Sequence, residues 1–331
     1  KGLYFYYLFW QIGIIPTIKK ILNKHSINYS MHLTMGSFWM PTFLPFFSVP
    51  FIWGPLGGGE CVPKPFLNDF PLKQRIVQRV RYWLNATSFL NPLIFYPSKK
   101  AVAIIARTKN SAKVIPKKYQ NKVSVMLETA MENEDFQFEK KNISSENKIT
   151  KLIITGRLVP FKNVISAVRA LPYLIPDYKI HLTIIGNGPE KERIEQEIVK
   201  NNFEDKVSFV SEVNRLDVLN ELKNSDIYLF PSLREGGTWA LMEAMAIRLP
   251  VICLNWTGME IITDSKTAIH IPITTPKQMP KDLADAIRKL IDQPELKESL
   301  GYAANKRIKE VFNWDSKGVF MEKLFKDLDK K

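Results

Sequence analysis

From residue 147 to the C-terminus, short apolar runs alternate with helical patterns, and this alternation limits the fold more than any other feature of the chain. The runs are 152–155, 182–185, 207–210, 227–230 and 251–254, all rich in Ile, Leu, Val and Phe. Near-continuous apolar runs of this kind are typical of strands buried on both faces. Between them, segments such as 190–200, 216–223 and 238–247 carry helical patterns. Strands separated by helices pair in parallel. The pattern therefore predicts a doubly wound sheet with its ligand site at the carboxyl ends of the strands.

The first half is less regular. Residues 49–53, 102–106 and 123–127 read as strands of a second α/β domain, with helical sequence between them. A polar, acidic stretch, 128–146, holds Glu132, Glu134, Asp135 and Glu139 and reads as the linker. A chain of 331 residues is long enough to bury two cores. The expected division is 1–146 and 147–331. The chain opens on Lys1, with no strand and glycine loop before the apolar segment 3–15. An incomplete N-terminal domain, beginning upstream in the natural protein, is expected. Segment 3–15 is too short to cross a bilayer and reads as a buried or interfacial helix.

Charge is uneven. Residues 1–127 carry 17 Lys and Arg against two acids, Glu60 and Asp69, while the remainder holds 30 basic and 31 acidic residues. The basic residues are interleaved with Phe, Trp, Tyr, Leu and Ile, which favours an anionic lipid surface over nucleic acid. In segment 72–84, Arg75 and Arg79 share one helical face and Ile76, Val80, Trp83 and Leu84 form an apolar stripe. Either a membrane-surface helix or a core helix with a solvated basic face would carry that pattern. Cys61 and Cys253 match no metal-ligand spacing and read as reduced, packed thiols of a cytoplasmic protein. With four scattered histidines, no metal site is expected.

The chemistry concentrates in Arg234-Glu235-Gly236-Gly237-Thr238-Trp239-Ala240-Leu241-Met242-Glu243, directly after the apolar run 227–230. Gly236, Gly237 and Thr238 form a turn into a helix, and the unpaired N–H groups of a helix start accept an anion such as phosphate. Glu235 in the loop and Glu243 on the helix are natural acceptors for sugar or ribose hydroxyls. Glu243 is flanked by Leu241, Met242, Ala244 and Met245, so a carboxylate there is buried and needs a partner.

Four matches occur together in order: Thr155-Gly156-Arg157 with Lys162, Ile185-Gly186-Asn187-Gly188-Pro189, the Glu235/Glu243 pair, and Leu249-Pro250-Val251-Ile252. With these, the second half resembles the donor-binding domain of a family 4 retaining glycosyltransferase of GT-B architecture, two Rossmann-like doubly wound domains with parallel sheets. The resemblance implies that Arg157 and Lys162 grip the donor diphosphate, that Glu235 holds donor-sugar hydroxyls, and that Glu243 binds the ribose diol. By the same resemblance Gly156, Gly186 and Gly188 lie near the ligand, Glu212 and Val213 fall in the segment contacting the base, and His32 approaches the transferring sugar. Gly54-Pro55-Leu56-Gly57-Gly58-Gly59-Glu60 reads as a glycine loop facing a cleft. Thr238 and Arg248 depart from the family, which usually has glycine at both places. Thr238 would either cap the helix and donate to phosphate or narrow the sugar site.

The implied function is metal-independent, cofactor-free retaining transfer of a sugar from a UDP-, GDP- or ADP-sugar to a glycan or lipid-linked acceptor. A cytoplasmic protein peripheral to the inner membrane face is expected, with no nucleic-acid partner. Two alternatives are a GT-B sugar-nucleotide epimerase and a non-catalytic nucleotide-sugar binder. The run Asn313-Trp314-Asp315 with Phe320, Leu324 and Leu328 predicts a capped amphipathic C-terminal helix that could return to the first domain.

Overall fold

The computed structural model describes residues 2–132, 149–211 and 213–330. Most of the expected linker, and Glu212, lie outside them. The chain forms two compact units: Lys1–Cys61 with Ile76–Glu128, and Val62–Arg75 with Thr129–Lys331.

The first unit is built on four parallel strands in the order β1-β2-β3-β4: β1 (Ser30–His32), β2 (Phe51–Leu56), β3 (Ala101–Ala106) and β4 (Val123–Val125). Segment 3–15 is divided between two helices, α1 (Leu3–Gly13) and α2 (Ile15–Lys24), rather than forming one. Helices α3 (Leu72–Ala86), α4 (Pro92–Lys100) and the short α5 (Lys109–Ala112) follow, the division between units falling inside α3. Local chemistry sets the ends of α4. Asn91 accepts the Leu93 N–H at its start, and Lys122 Nζ donates to the carbonyls of Lys99 and Ala101 at its end. The core gathers around fully buried Trp53, which meets Phe38 edge to face at 5.5 Å, with Phe51, Ile94 and Ile104 beside it.

The apolar stripe of α3 does not face that core. Gln78 is the buried position of the helix, while Ile76, Val80 and Trp83 are 53%, 48% and 65% exposed. The core-helix alternative for 72–84 is thereby corrected.

The second unit is a six-stranded parallel sheet in the order β10-β9-β8-β5-β6-β7. Its strands are β5 (Thr150–Thr155), β6 (Ile180–Ile185), β7 (Val207–Val210), β8 (Ile227–Phe230), β9 (Val251–Leu254) and β10 (Ala268–Ile271). The helices are α6 (Ile165–Val168), α7 (Lys191–Lys200), α8 (Arg215–Lys223), α9 (Trp239–Ala246), α10 (Met259–Ile262), α11 (Met279–Asp292), α12 (Pro294–Val311) and α13 (Trp314–Asp329). Asn313 caps α13 by accepting the Ser316 N–H, and the helix clusters with this unit. Strand order reverses between β5 and β8. These two pair at Leu152–Ile227 and Ile153–Tyr228, whereas β5 and β6 stay paired as far as Thr155–Ile185. Beyond Ile153 and Tyr228 the carboxyl ends of β5 and β8 part, which is where an open α/β sheet holds its ligand.

Candidate functional site

The loops leaving β5 and β8 deliver the predicted cation and carboxylate to one place. Lys162 closes the turn after β5, and its Nζ lies 2.6 Å from Glu235 Oε1 in the loop after β8. Their side chains are 15% and 11% exposed, so each supplies the partner the other needs when desolvated. Ser232 Oγ donates to the same carboxylate oxygen at 2.5 Å, and Lys162 Nζ stands 5.1 Å from the Phe230 ring centre. A pocket with an empty volume of ≈ 220 Å³ opens here, bounded by Thr155, Gly156, Arg157, Lys162, Phe230 and Ser232, among others. Arg157 is exposed at its mouth, and its side chain has no hydrogen bond or ion pair among the described residues.

The glycine turn is held from behind. The Glu235 N–H donates to Thr257 Oγ1 at 3.0 Å and the Gly258 N–H to the Glu235 carbonyl at 3.0 Å. Gly237 must be glycine for steric reasons, because a Cβ there would lie 2.1 Å from Thr129 Oγ1. That hydroxyl is buried and has no hydrogen-bond partner among the described residues. Thr238 takes the N-cap position of α9 in an extended conformation, but its side chain makes no capping hydrogen bond. The capping role for Thr238 is therefore removed. The side chain is buried, and among the described residues the amides of the first helical turn have no intrahelical or side-chain acceptor.

Glu243 sits in the second turn of α9, 9% exposed, as its apolar flanks require. Its Oε1 accepts from Arg215 Nε at 2.8 Å. Both carboxylates lie near Tyr228. Burial pushes that phenol upward, Glu243 and Glu235 push it further, and a 2.9 Å hydrogen bond with Thr155 Oγ1 opposes them. Val213 is half-buried in the loop before α8.

Gly186 and Gly188 are fixed by protein backbone. A Cβ on Gly186 would fall 1.9 Å from the Gly156 carbonyl oxygen, and one on Gly188 2.4 Å from that of Leu158. Their loop therefore packs directly on the turn carrying Arg157 and Lys162, so their effect on a ligand passes through that turn. Arg248 ends the α9 region with φ +64°, the left-handed conformation where glycine was expected.

His32 belongs to the first unit, at the end of β1. It is buried, with Nε2 3.3 Å from Tyr7 Oη, and Gln11 donates to that hydroxyl at 2.8 Å. Burial lowers the His32 pKa, a backbone hydrogen bond with Thr34 opposing it in part, so the imidazole is neutral at pH 7. The glycines of the loop after β2 are accounted for by contacts inside the first unit. Cβ atoms on Gly57, Gly58 and Gly59 would collide with Arg107, Trp39 and the Asn110–Ser111 backbone, so the glycines serve packing within the unit. Among the described residues no group of His, Cys, Asp or Glu is arranged to hold a metal, and no helix is long and apolar enough to cross a membrane. Both cysteines are buried and neither is in a disulfide, and burial pushes the Cys253 thiol up to about 12.

Sequence reasoning missed Arg215, Ser232, Thr257 and Thr129. Arg215 had a usable signal, because a cation in the first turn of a helix opposes the helix dipole and calls for a partner elsewhere.

Two parallel-sheet α/β units, the second with its site at the strand-order reversal, place the chain in the GT-B fold class. Solved structures agree. Sucrose-phosphate synthase from Thermosynechococcus elongatus superposes with a TM-score of 0.65 at 15% identity, covering 95% of this chain and 76% of that one. Anabaena HepE in complex with UDP and glucose gives 0.58 at 15% identity, covering 83% and 71%. Residues 133–307 match the family model of the glycosyl transferases group 1, and the chain belongs to that family. Among curated relatives, the uncharacterized glycosyltransferase MJ1069 of Methanocaldococcus jannaschii is 28% identical over 268 residues, covering 78% of this chain and 65% of its own length. The capsular polysaccharide biosynthesis glycosyltransferase CapM of Staphylococcus aureus is 26% identical over 207 residues, covering 59% and 52%. The chain thus spans between about half and two thirds of these relatives.

Proposed function

We propose that this chain transfers a sugar from a nucleoside-diphosphate sugar to a hydroxyl of a glycan or lipid-linked acceptor, with retention of anomeric configuration. The observation that carries the proposal is the convergence at the β5/β8 reversal of Lys162, Glu235, a glycine turn and the start of α9, with Glu243 in the second turn of that helix. Arg157, Lys162 and the α9 amides face the diphosphate and take up its negative charge as the glycosidic C–O bond breaks, the work of fixed donors preorganised for a developing charge. Glu235 holds hydroxyls of the sugar and Glu243 those of the ribose. The acceptor oxygen attacks the face the diphosphate leaves, through an oxocarbenium-like transition state, and its proton passes to the departing phosphate oxygen. Neither metal nor cofactor is needed, because the cations are supplied by side chains. HepE, whose fold this chain shares, was crystallised with UDP and glucose, which favours a uridine donor as the first to try.

The test is nucleotide release from UDP-, GDP-, ADP- and dTDP-sugars, with and without acceptor hydroxyls, and proton NMR of the product. Acceptor-dependent release, a product of unchanged anomeric configuration and full activity in EDTA are expected. An inverted product overturns retention, sugar isomerisation without acceptor makes the protein an epimerase, and stabilisation without turnover makes it a binder. We further propose that the first unit lies on the inner, anionic face of a membrane. Its charge and the exposed Ile76, Val80 and Trp83 beside Arg79 favour this. Flotation with anionic vesicles but not neutral ones is expected, and equal behaviour with both would exclude it.

A further inference from the structure

Arg215 is placed where it weakens its own helix. It is the first residue of α8, after the Asn214 cap, so its charge opposes the helix dipole. Its guanidinium instead turns to α9. Nε lies 2.8 Å from Glu243 Oε1, and the guanidinium carbon stands 5.8 Å from the centre of the Trp239 ring. Glu243 has an 11% exposed side chain, whereas that of Arg215 is 50% exposed. The carboxylate is therefore fixed inside the unit by a cation reaching over it from the solvent side.

We infer, on the basis of the donor assignment above, that Arg215 is the positioning residue for ribose recognition. A carboxylate on an apolar helix tends to take up a proton, and a neutral carboxyl is a poorer acceptor for a diol. A charged hydrogen bond to one oxygen keeps the group ionised and stops its rotation. Trp239 restricts the guanidinium in turn. Arg215 thus sets the preference for ribonucleotides over their 2′-deoxy forms without touching the sugar being transferred.

The experiment is calorimetric titration of the full chain with UDP, GDP and ADP, each beside its 2′-deoxy form. The proteins are the parent, Arg215→Gln, Arg215→Lys and Glu243→Gln. The parent is expected to favour one ribonucleotide over its deoxy form by about tenfold or more, the range of a hydrogen bond to a charged group. Arg215→Gln should lose about tenfold on the ribonucleotide and little on the deoxynucleotide, bringing the ratio near one. Arg215→Lys should recover part of it. Equal weakening of both forms in Arg215→Gln, or no change, overturns the role of Arg215 while leaving the donor site in place. An unchanged ratio in Glu243→Gln, or no binding of any nucleotide by the parent, overturns the donor assignment and the inference together.

Discussion

The two units each carry a strand, a glycine-rich loop and a glutamate, and they use them in opposite ways. In the first unit, Glu60 follows Gly57-Gly58-Gly59 and is 3% exposed. Its Oε1 accepts from Thr108 Oγ1 and Ser111 Oγ, both at 2.7 Å, and from Arg107 Nε at 3.4 Å, while Oε2 accepts the Gly58 N–H at 2.9 Å. Four donors surround it, and the space beside each glycine is filled by protein. In the second unit, Glu235 precedes Gly236-Gly237 and lies beside an open pocket with Lys162 and Ser232. A glycine loop with a carboxylate is therefore a keystone where protein donors saturate the acid, and a site where the surrounding space is open.

Removing the keystone should give the largest effect. Glu60→Ala leaves Thr108, Ser111 and the Gly58 amide without their acceptor and Arg107 with Glu128 alone, 3.0 Å away, and at about 1–3 kcal/mol for each orphaned group stability should fall by about 3–5 kcal/mol. Urea unfolding followed by tryptophan fluorescence reports it, since Trp53 lies in that core. A loss below about 1 kcal/mol would break the contrast. Glu235→Gln should do the reverse. The amide keeps an acceptor for Lys162 and Ser232 but removes the charge opposite a side chain only 15% exposed, so stability falls by about 1–3 kcal/mol. Sugar transfer should drop about 10²–10³-fold, or ~2.7–4 kcal/mol in the barrier. Unaltered turnover would make Glu235 a second keystone. Gly237→Ala comes next. Its Cβ must displace Thr129, and a strain of about 1–3 kcal/mol should weaken diphosphate binding, read by titration with the parent's preferred nucleotide.

What the sequence disclosed follows the same division. Strands β8 and β9 lie where the apolar runs place them, because strands buried on both faces leave continuous apolar signatures, and β7, mostly half-buried at a sheet edge, is marked by Val207, Phe209 and Val210. Strands β1 and β10 stand at sheet edges, are short and each contain a histidine, so no such run marks them. The site was legible where its parts are neighbours in sequence: the glycine turn, Glu235 and Glu243 share one short stretch. Lys162 was readable through its place after β5. The Arg215–Glu243 bond joins residues 28 apart and Thr129 meets Gly237 from a distant segment, so both depend on the assembled sheet. The glycine loop at 57–59 has two readings in sequence for a physical reason, since close packing on protein and close approach to a ligand both demand glycine.

The smallest expected effect tests the keystone by pH. Burial pushes the Glu60 carboxyl up, but Arg107, the Ser111 and Thr108 hydroxyls and the Gly58 amide more than reverse this, leaving it below its ordinary 4.5. The unfolded chain then takes up the proton first as pH falls. Stability from Glu60 is complete above about 4.5, declines as pH drops below that value, and is lost once pH passes through the lower folded value. Glu60→Gln cannot take up that proton, so its unfolding free energy should show a shallower acid slope than the parent's between pH 6 and 3, whatever its absolute stability. Glu235→Gln should retain the parental slope wherever it arises from Glu60. Parallel acid slopes in parent and Glu60→Gln would mean that the four donors stabilise the carboxyl no more than water does, and that packing around the glycines, not the charge, holds the loop.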